Sequence, residues 1–215
     1  MTLYALCDVS PEDKQERKEN DVGKVIYSMI ASLDGYIEDD TGRFDWAEPD
    51  EEVFNAVNDL MRPVGTYLYG RRMYEMLVGW ESSASYEKAT GSVLANQSPA
   101  VREFARIWQA ADKIVYSRSL ANVTSSRTEL RNTFEIQEID RLKSQSSRDI
   151  TIGGPALAEN AILADVVDEY DIFTIPVLVG GGKPVLPKNI HLSLELLDEY
   201  RYKSGVVRLR YRRRS

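Results

Sequence analysis

The sequence predicts one α/β domain, a mostly parallel mixed sheet covered by helices and finished by a C-terminal antiparallel hairpin. Three observations predict it. From Val22 to Ala164, short apolar runs of strand length alternate with stretches whose apolar residues recur at helical spacing. Glycines stand at the strand-to-helix junctions, at Gly70 and at Gly153-Gly154. Residues 195–212 read as two alternating strands joined through Lys203-Ser204-Gly205.

The elements follow in order. Residues 1–22 begin with a short apolar stretch and continue as the almost wholly polar run Ser10–Asp21, which reads as a mobile charged extension or a short solvated helix. The domain proper is expected over 23–215. Val25–Ile30 is a buried strand. Glu51–Met61 places Val53, Val57, Leu60 and Met61 at helical spacing, with Asp50 as N-cap. Thr66–Tyr69 is a strand that runs directly into a helix over Arg71–Leu77. Val101, Phe104, Ala105 and Trp108 stripe another helix, opened by Ser98-Pro99. Lys113–Tyr116 is a strand and Ile139–Ser144 a short helix. Asp149–Ile152 is a strand, Gly153-Gly154 a turn and Pro155–Ala164 a helix. Glu169–Val179 is a long strand that ends in three glycines.

Composition excludes several functions. The 215 residues carry 27 basic and 34 acidic side chains, a net charge of −7, which opposes a general nucleic-acid surface. No apolar run approaches the ~18 residues of a membrane span, and the N-terminus lacks a basic-then-apolar leader, so the cytoplasm is the expected compartment. Cys7 and His191 are the single cysteine and histidine. A protein-ligated zinc site and a Ser-His-Asp triad are therefore not expected, whereas hydride transfer, whose difficult chemistry lies in a cofactor, suits the chain.

Three strand-to-helix junctions suit phosphate groups. Gly70-Arg71-Arg72-Met73 offers a glycine turn, free N–H donors and two guanidinium groups; a solvated helix start is the plain alternative. Ser117-Arg118 sets a hydroxyl beside a cation, which fits a phosphate monoester and is otherwise an ordinary turn. The best is Ile152 to Leu157, where Gly153 and Gly154 let a pyrophosphate approach the backbone and Pro155 opens an apolar helix containing Ala156 and Leu157. Other features mislead. Gly180-Gly181-Gly182-Lys183 resembles the end of a P-loop, but Val177 and Pro184 occupy positions that need glycine and a hydroxyl. Arg208, Arg210 and Arg212 alternate with Val207, Leu209 and Tyr211, as in a half-buried strand with a basic outer face. Trp46 fits a pocket wall or the core.

Four segments carry a resemblance: Tyr27–Ile37 (YSMIASLDGYI), Leu68–Glu75 (LYGRRMYE), Lys113–Leu120 (KIVYSRSL) and Ile150–Gly182. In order and spacing they resemble the dihydrofolate-reductase superfamily. They look like the reductase domain of the bifunctional riboflavin deaminase–reductase and its stand-alone relatives, over roughly residues 24–212. The resemblance implies a three-layer dihydrofolate-reductase-like fold, an NADPH-dependent reductase and a homodimer. It implies that Gly70, Arg71, Arg72 and Met73 meet cofactor phosphates and that Ser117 and Arg118 face the adenosine 2′-phosphate. Ile152, Gly153, Gly154, Pro155, Ala156 and Leu157 would then wrap the pyrophosphate and nicotinamide, with Ala31 near the carboxamide. Met73 stands where the family motif usually has threonine, which removes one hydroxyl contact. The ligands of the family's zinc deaminase half cannot be drawn from one histidine and one cysteine.

Asp34 is the first candidate for a substrate-facing catalytic carboxylate and Glu51 the second; their plain alternatives are a turn cap with Gly35 and a favourable helix start. The small-molecule acceptor stays open between the riboflavin-pathway pyrimidine and a pterin or other redox-active compound. A non-catalytic nucleotide-binding protein is the reading from another class. A phosphorylated sugar would need cations opposite the nicotinamide, drawn from Arg43, Arg62, Lys183 or Lys188.

Overall fold

A computed structural model describes residues 23–214; the expected extension over 1–22 lies outside the described residues. The main sheet has eight strands. β1 (Val25–Ser32) lies between β6 (Asp149–Gly153) and β7 (Glu169–Ile175), both parallel to it. β3 (Val64–Gly70), β4 (Asp112–Tyr116) and β5 (Thr128–Arg131) extend the parallel part on the β6 side. On the other side β10 (Val207–Arg213) runs antiparallel to β7, and β9 (Leu194–Arg201) forms the outer edge, giving the order β5-β4-β3-β6-β1-β7-β10-β9. A separate ribbon pairs β2 (Tyr36–Glu38) with β8 (Lys183–Pro184).

Helices cover both faces because parallel strands are apolar on both. α5 (Ile136–Gln145) and α6 (Pro155–Leu163) lie over Tyr27, Leu68, Ile114 and Ile152. α1 (Glu51–Met61) packs on Ile26 and Phe173. α2 (Arg71–Leu77) and α4 (Pro99–Ala110) close over Tyr67, Tyr69 and Val115, with Tyr74 and the fully buried Trp108 as anchors. α3 (Ser83–Thr90) supplies Tyr86 to a smaller cluster with Leu94 and Ala105. No helix among the described residues is long and apolar enough to cross a membrane.

Local chemistry sets most boundaries. The Asp50 carboxylate accepts the Val53 N–H at 2.8 Å and starts α1. Ser98 accepts from Val101 with Pro99 in the first turn of α4. Two expectations change. β7 stops at Ile175 instead of running to Val179, since Pro176 has no N–H to donate to a ladder and fixes its own φ. The arginines of β10 do not make a basic outer face. Arg208 pairs with the fully buried Asp171 at 2.8 Å, Arg210 with Glu169 at 2.9 Å and Arg212 with Glu195 at 3.0 Å.

One buried cation has no carboxylate in contact. Lys113 of β4 is 1% exposed, and its Nζ sits 4.3 Å from the Trp108 ring centroid while donating to the Trp108 and Ala111 carbonyls at 3.0 and 2.8 Å. Burial lowers its pKa from 10.5 to about 8. Between about 8 and 10.5 the unfolded chain therefore binds more protons at this site than the folded one. The site's contribution to stability is greatest above the unfolded value and is lost as pH falls through about 8. Urea unfolding of wild type and Lys113→Met from pH 7 to 10.5 tests this: the wild type gains stability with pH relative to the variant. A difference that stays constant across the window would show that Lys113 titrates normally.

Candidate functional site

Six parallel strands end on the same edge, so every strand-to-helix junction singled out in the sequence meets there. Across that edge the order is the end of β4 with Ser117 and Arg118, then β3 with Gly70–Met73, then β6 with Gly153-Gly154, then β1 with Ala31 and Ser32. Three interstrand steps of about 4.8 Å make roughly 14 Å from first to last.

At the β6 junction the two glycines do different things. A Cβ on Gly153 would lie 2.8 Å from the Tyr69 ring of the neighbouring strand, so this glycine answers to packing. Gly154 has φ +92°, and a Cβ there would meet nothing nearer than Met73 Cβ at 3.7 Å. It is the N-cap of α6 without a side-chain cap, and Pro155 follows as the first helical residue. The N–H groups of Ala156 and Leu157 belong to that uncapped first turn and are available to an anion. Ile152 is buried beneath, and Leu157 and Pro155 anchor the helix in the core. Ala31 is 2% exposed, on the side of β1 that pairs with Thr174 of β7.

At the β3 junction Gly70 is extended, and a Cβ there would have nothing within 4 Å. Arg71 donates to Ser119 Oγ at 3.1 Å, which links the β3 and β4 ends. The Ser117 hydroxyl accepts the N–H groups of Ser119 at 3.2 Å and Leu120 at 3.0 Å, forming the turn that presents Arg118. Arg118 is exposed and has no ion-pair partner among the described residues. Arg72 points elsewhere: Glu38 of the β2–β8 ribbon holds it through two bonds of 3.1 and 3.0 Å. An open cavity of about 700 Å³ lies between that ribbon and Arg72, lined also by Asp39, Gly42 and Lys183. Met73 packs against the two glycines of β6 with its thioether chain.

The two candidate acids sit past the β1 end. Asp34 accepts from the Ser32 hydroxyl at 2.6 Å and from the N–H groups of Val179 at 3.2 Å and Gly180 at 2.8 Å. The Ser32 hydroxyl is the largest influence on this carboxyl, and together with those N–H groups it outweighs the opposing desolvation and holds the acid below the usual carboxylate range. Such a group stays ionised near neutrality and orients neighbours better than it donates a proton. Glu51 is exposed on the first turn of α1. The triple glycine thus belongs to the loop docked on Asp34, and a side chain on Gly182, at φ +130°, would overlap the Glu38 carbonyl. Ser32 and Glu38 were not singled out in the sequence. Their partners lie on other strands or within turns that apolar periodicity does not mark.

An eight-stranded mixed sheet whose parallel strand ends gather arginines and an open glycine-led helix start has the dihydrofolate-reductase-like architecture. The chain belongs to the RibD C-terminal domain family, whose model matches residues 23–208. It is 26% identical over 191 residues to the uncharacterized protein YyaP of Bacillus subtilis (strain 168), covering 87% of this chain and 94% of YyaP. The fold is similar to that of the Thermotoga maritima diaminohydroxyphosphoribosylaminopyrimidine deaminase/5-amino-6-(5-phosphoribosylamino)uracil reductase. That TM-score is 0.62 at 14% identity, over 94% of this chain and 62% of the other. It is also similar to Enterococcus faecalis dihydrofolate reductase complexed with NADP(H), at TM-score 0.54 and 14% identity over 90% and 98% of the two chains.

The two β6 glycines separate by their cause. Gly153→Ala is expected to destabilise by about 1–3 kcal/mol, because the new methyl must displace a core tyrosine ring. Gly154→Ala meets no close neighbour but forces a side chain into a positive-φ extended backbone (φ +92°, ψ +129°), a strain of about 1–3 kcal/mol. Urea unfolding of both variants measures the two costs, and a Gly153→Ala loss near zero would mean that Tyr69 moves aside without penalty.

Proposed function

We propose that this protein is an NADPH-dependent reductase that transfers hydride to a small-molecule acceptor, in line with the reductase named for the T. maritima relative. One observation carries the reading: the sheet order sets the guanidinium groups, the open glycine-led helix start and the end of β1 side by side across about 14 Å. That sequence of groups suits a phosphorylated dinucleotide laid along the edge, adenosine end at β4 and nicotinamide end at β1. The residues present fit the cofactor. Gly70 and Gly154 leave the space a side chain would fill, Arg118 is a cation without a partner among the described residues, and the first turn of α6 is uncapped.

NADPH, when bound, supplies the hydride. The chain does the rest. Arg71 and Arg118, braced by Ser119 and Ser117, bind the adenosine 2′-phosphate. The N–H groups at the start of α6 hold the pyrophosphate. Ala31, small and buried, would leave room for the nicotinamide at the β1 end. The Asp34 carboxylate fixes the loop 177–180 that walls the acceptor side, and it orients the water that delivers the proton. Glu51, on the first turn of α1, is the second carboxylate facing the acceptor.

Two measurements test the assignment. Arg71→Ala and Arg118→Ala are each expected to weaken NADPH binding roughly tenfold, since a charge-assisted contact contributes ~1.5–3 kcal/mol. Affinity for NADH should change little. Fluorescence titration of both cofactors reads this, and equal losses for the two would move the 2′-phosphate elsewhere. Asp34→Asn is expected to lower the rate of NADPH oxidation by ~10²-fold while leaving NADPH affinity within about twofold. Near-normal turnover in that variant would reduce Asp34 to a turn residue.

A further inference from the structure

The crossover from β4 to β5 has no helix of its own. The two strands are parallel neighbours, with Lys113 opposite Thr128, so residues 117–127 must carry the chain from the site edge back to the other end of the sheet. Such a crossover usually satisfies its backbone within a helix, whereas this one returns as an irregular segment. Its N–H groups therefore depend on side chains. The Ser117 hydroxyl takes those of Ser119 and Leu120. Glu81, in the turn that follows α2, accepts from Ser126 at 2.9 Å. Between these two points one atom serves two residues. The Tyr74 phenol oxygen accepts the N–H groups of Thr124 at 2.8 Å and Ser125 at 3.2 Å, and the Ser125 hydroxyl lies 3.1 Å from it. That hydroxyl is 2.7 Å from Thr128 Oγ1, so the chain of oxygens ends on the first residue of β5.

Tyr74 is buried in the cluster that contains Trp108 and Val115, and Leu120 and Val123 of the same crossover pack there. Burial alone would raise the phenol's pKa; the bonds from Ser125 and Thr124 outweigh it and hold the group below its ordinary value. The position of this residue connects it to the site. Tyr74 stands about one turn after Arg71 on α2, and the segment it holds begins with Ser117-Arg118-Ser119. Helix α2 thus grips the crossover twice, through Arg71 at Ser119 and through Tyr74 at Thr124 and Ser125. Arg71 and Arg118 lie on separate pieces of chain, and their separation depends on that grip.

Under the reductase reading on which this rests, we infer that Tyr74 is a positioning residue for the 2′-phosphate site. It touches no part of the cofactor. By fixing the crossover against α2 it sets where Arg118 stands relative to Arg71, and with that the preference for NADPH over NADH.

Tyr74→Phe keeps the ring in the core and removes only the oxygen. In fluorescence titrations of the full chain, NADPH affinity is expected to fall about three- to tenfold and NADH affinity to stay within about twofold. A merely structural role would weaken both cofactors alike. In an Arg118→Ala background, adding Tyr74→Phe should change NADPH affinity by less than about twofold, because the cation it positions is already gone. Ser125→Ala keeps the phenol and deletes one of its contacts; it should shift the preference in the same direction by a smaller factor, and it serves where Tyr74→Phe does not fold. An unchanged NADPH-to-NADH ratio in the folded variants overturns the inference, as do losses from Tyr74→Phe and Arg118→Ala that simply add. The wild type separates the two levels: if it shows no preference for NADPH, the reading of the 2′-phosphate site fails first and this inference with it.

Discussion

A parallel sheet must be dry on both faces, because its crossover connections lay helices on each side and its strands are apolar throughout. That constraint organises this molecule. β1, β6 and β7 form a centre in which Val25, Tyr27, Ile152 and Phe173 are all buried, and each crossover returns the chain to the same starting edge. Every parallel strand therefore delivers its C-terminal end, and the polar residues that follow it, to one line. Ser117, Gly70, Gly154 and Ser32 are distant in sequence and become neighbours for this reason alone.

The antiparallel side is held differently. Asp171 and Glu169 of β7 are buried, and Arg208 and Arg210 of β10 reach across to them. A buried pair of this kind adds little net stability over an apolar replacement, yet breaking one partner is costly. It therefore specifies which strand lies beside β7. Arg208 also stacks 5.4 Å from the Phe173 ring centroid, so register and packing are fixed by the same residue. Outside it, β9 presents Leu196, Leu197 and Tyr200 on an edge that has no further strand among the described residues.

What could be read from sequence was local. Asp50, Ser98 and Pro155 start their helices through contacts within four residues, and those starts were legible to the residue. The β2–β8 ribbon was not, because its strands are three and two residues long and lie far apart in the chain. β5 is similarly short and mixed in polarity, and α3 has only a weak apolar stripe. The end of β7 was overrun because an apolar pattern continues through Pro176 to Val179 although the ladder cannot. At the candidate site, residue types pointed to the correct junctions, but partners did not show. Nothing near Arg72 in sequence announces Glu38, and nothing near Asp34 announces Val179 and Gly180. The roles of Gly153 and Gly154 also divide only when Tyr69 is seen beside the first.

The Glu38–Arg72 pair has a kinetic consequence. Glu38 belongs to a ribbon of the same chain, so its carboxylate is always present next to Arg72 at a high effective concentration. An anion that takes the same two N–H groups must first displace it, and the carboxylate returns as soon as that anion loosens. A built-in competitor of this kind favours rapid exchange of an anion over long residence.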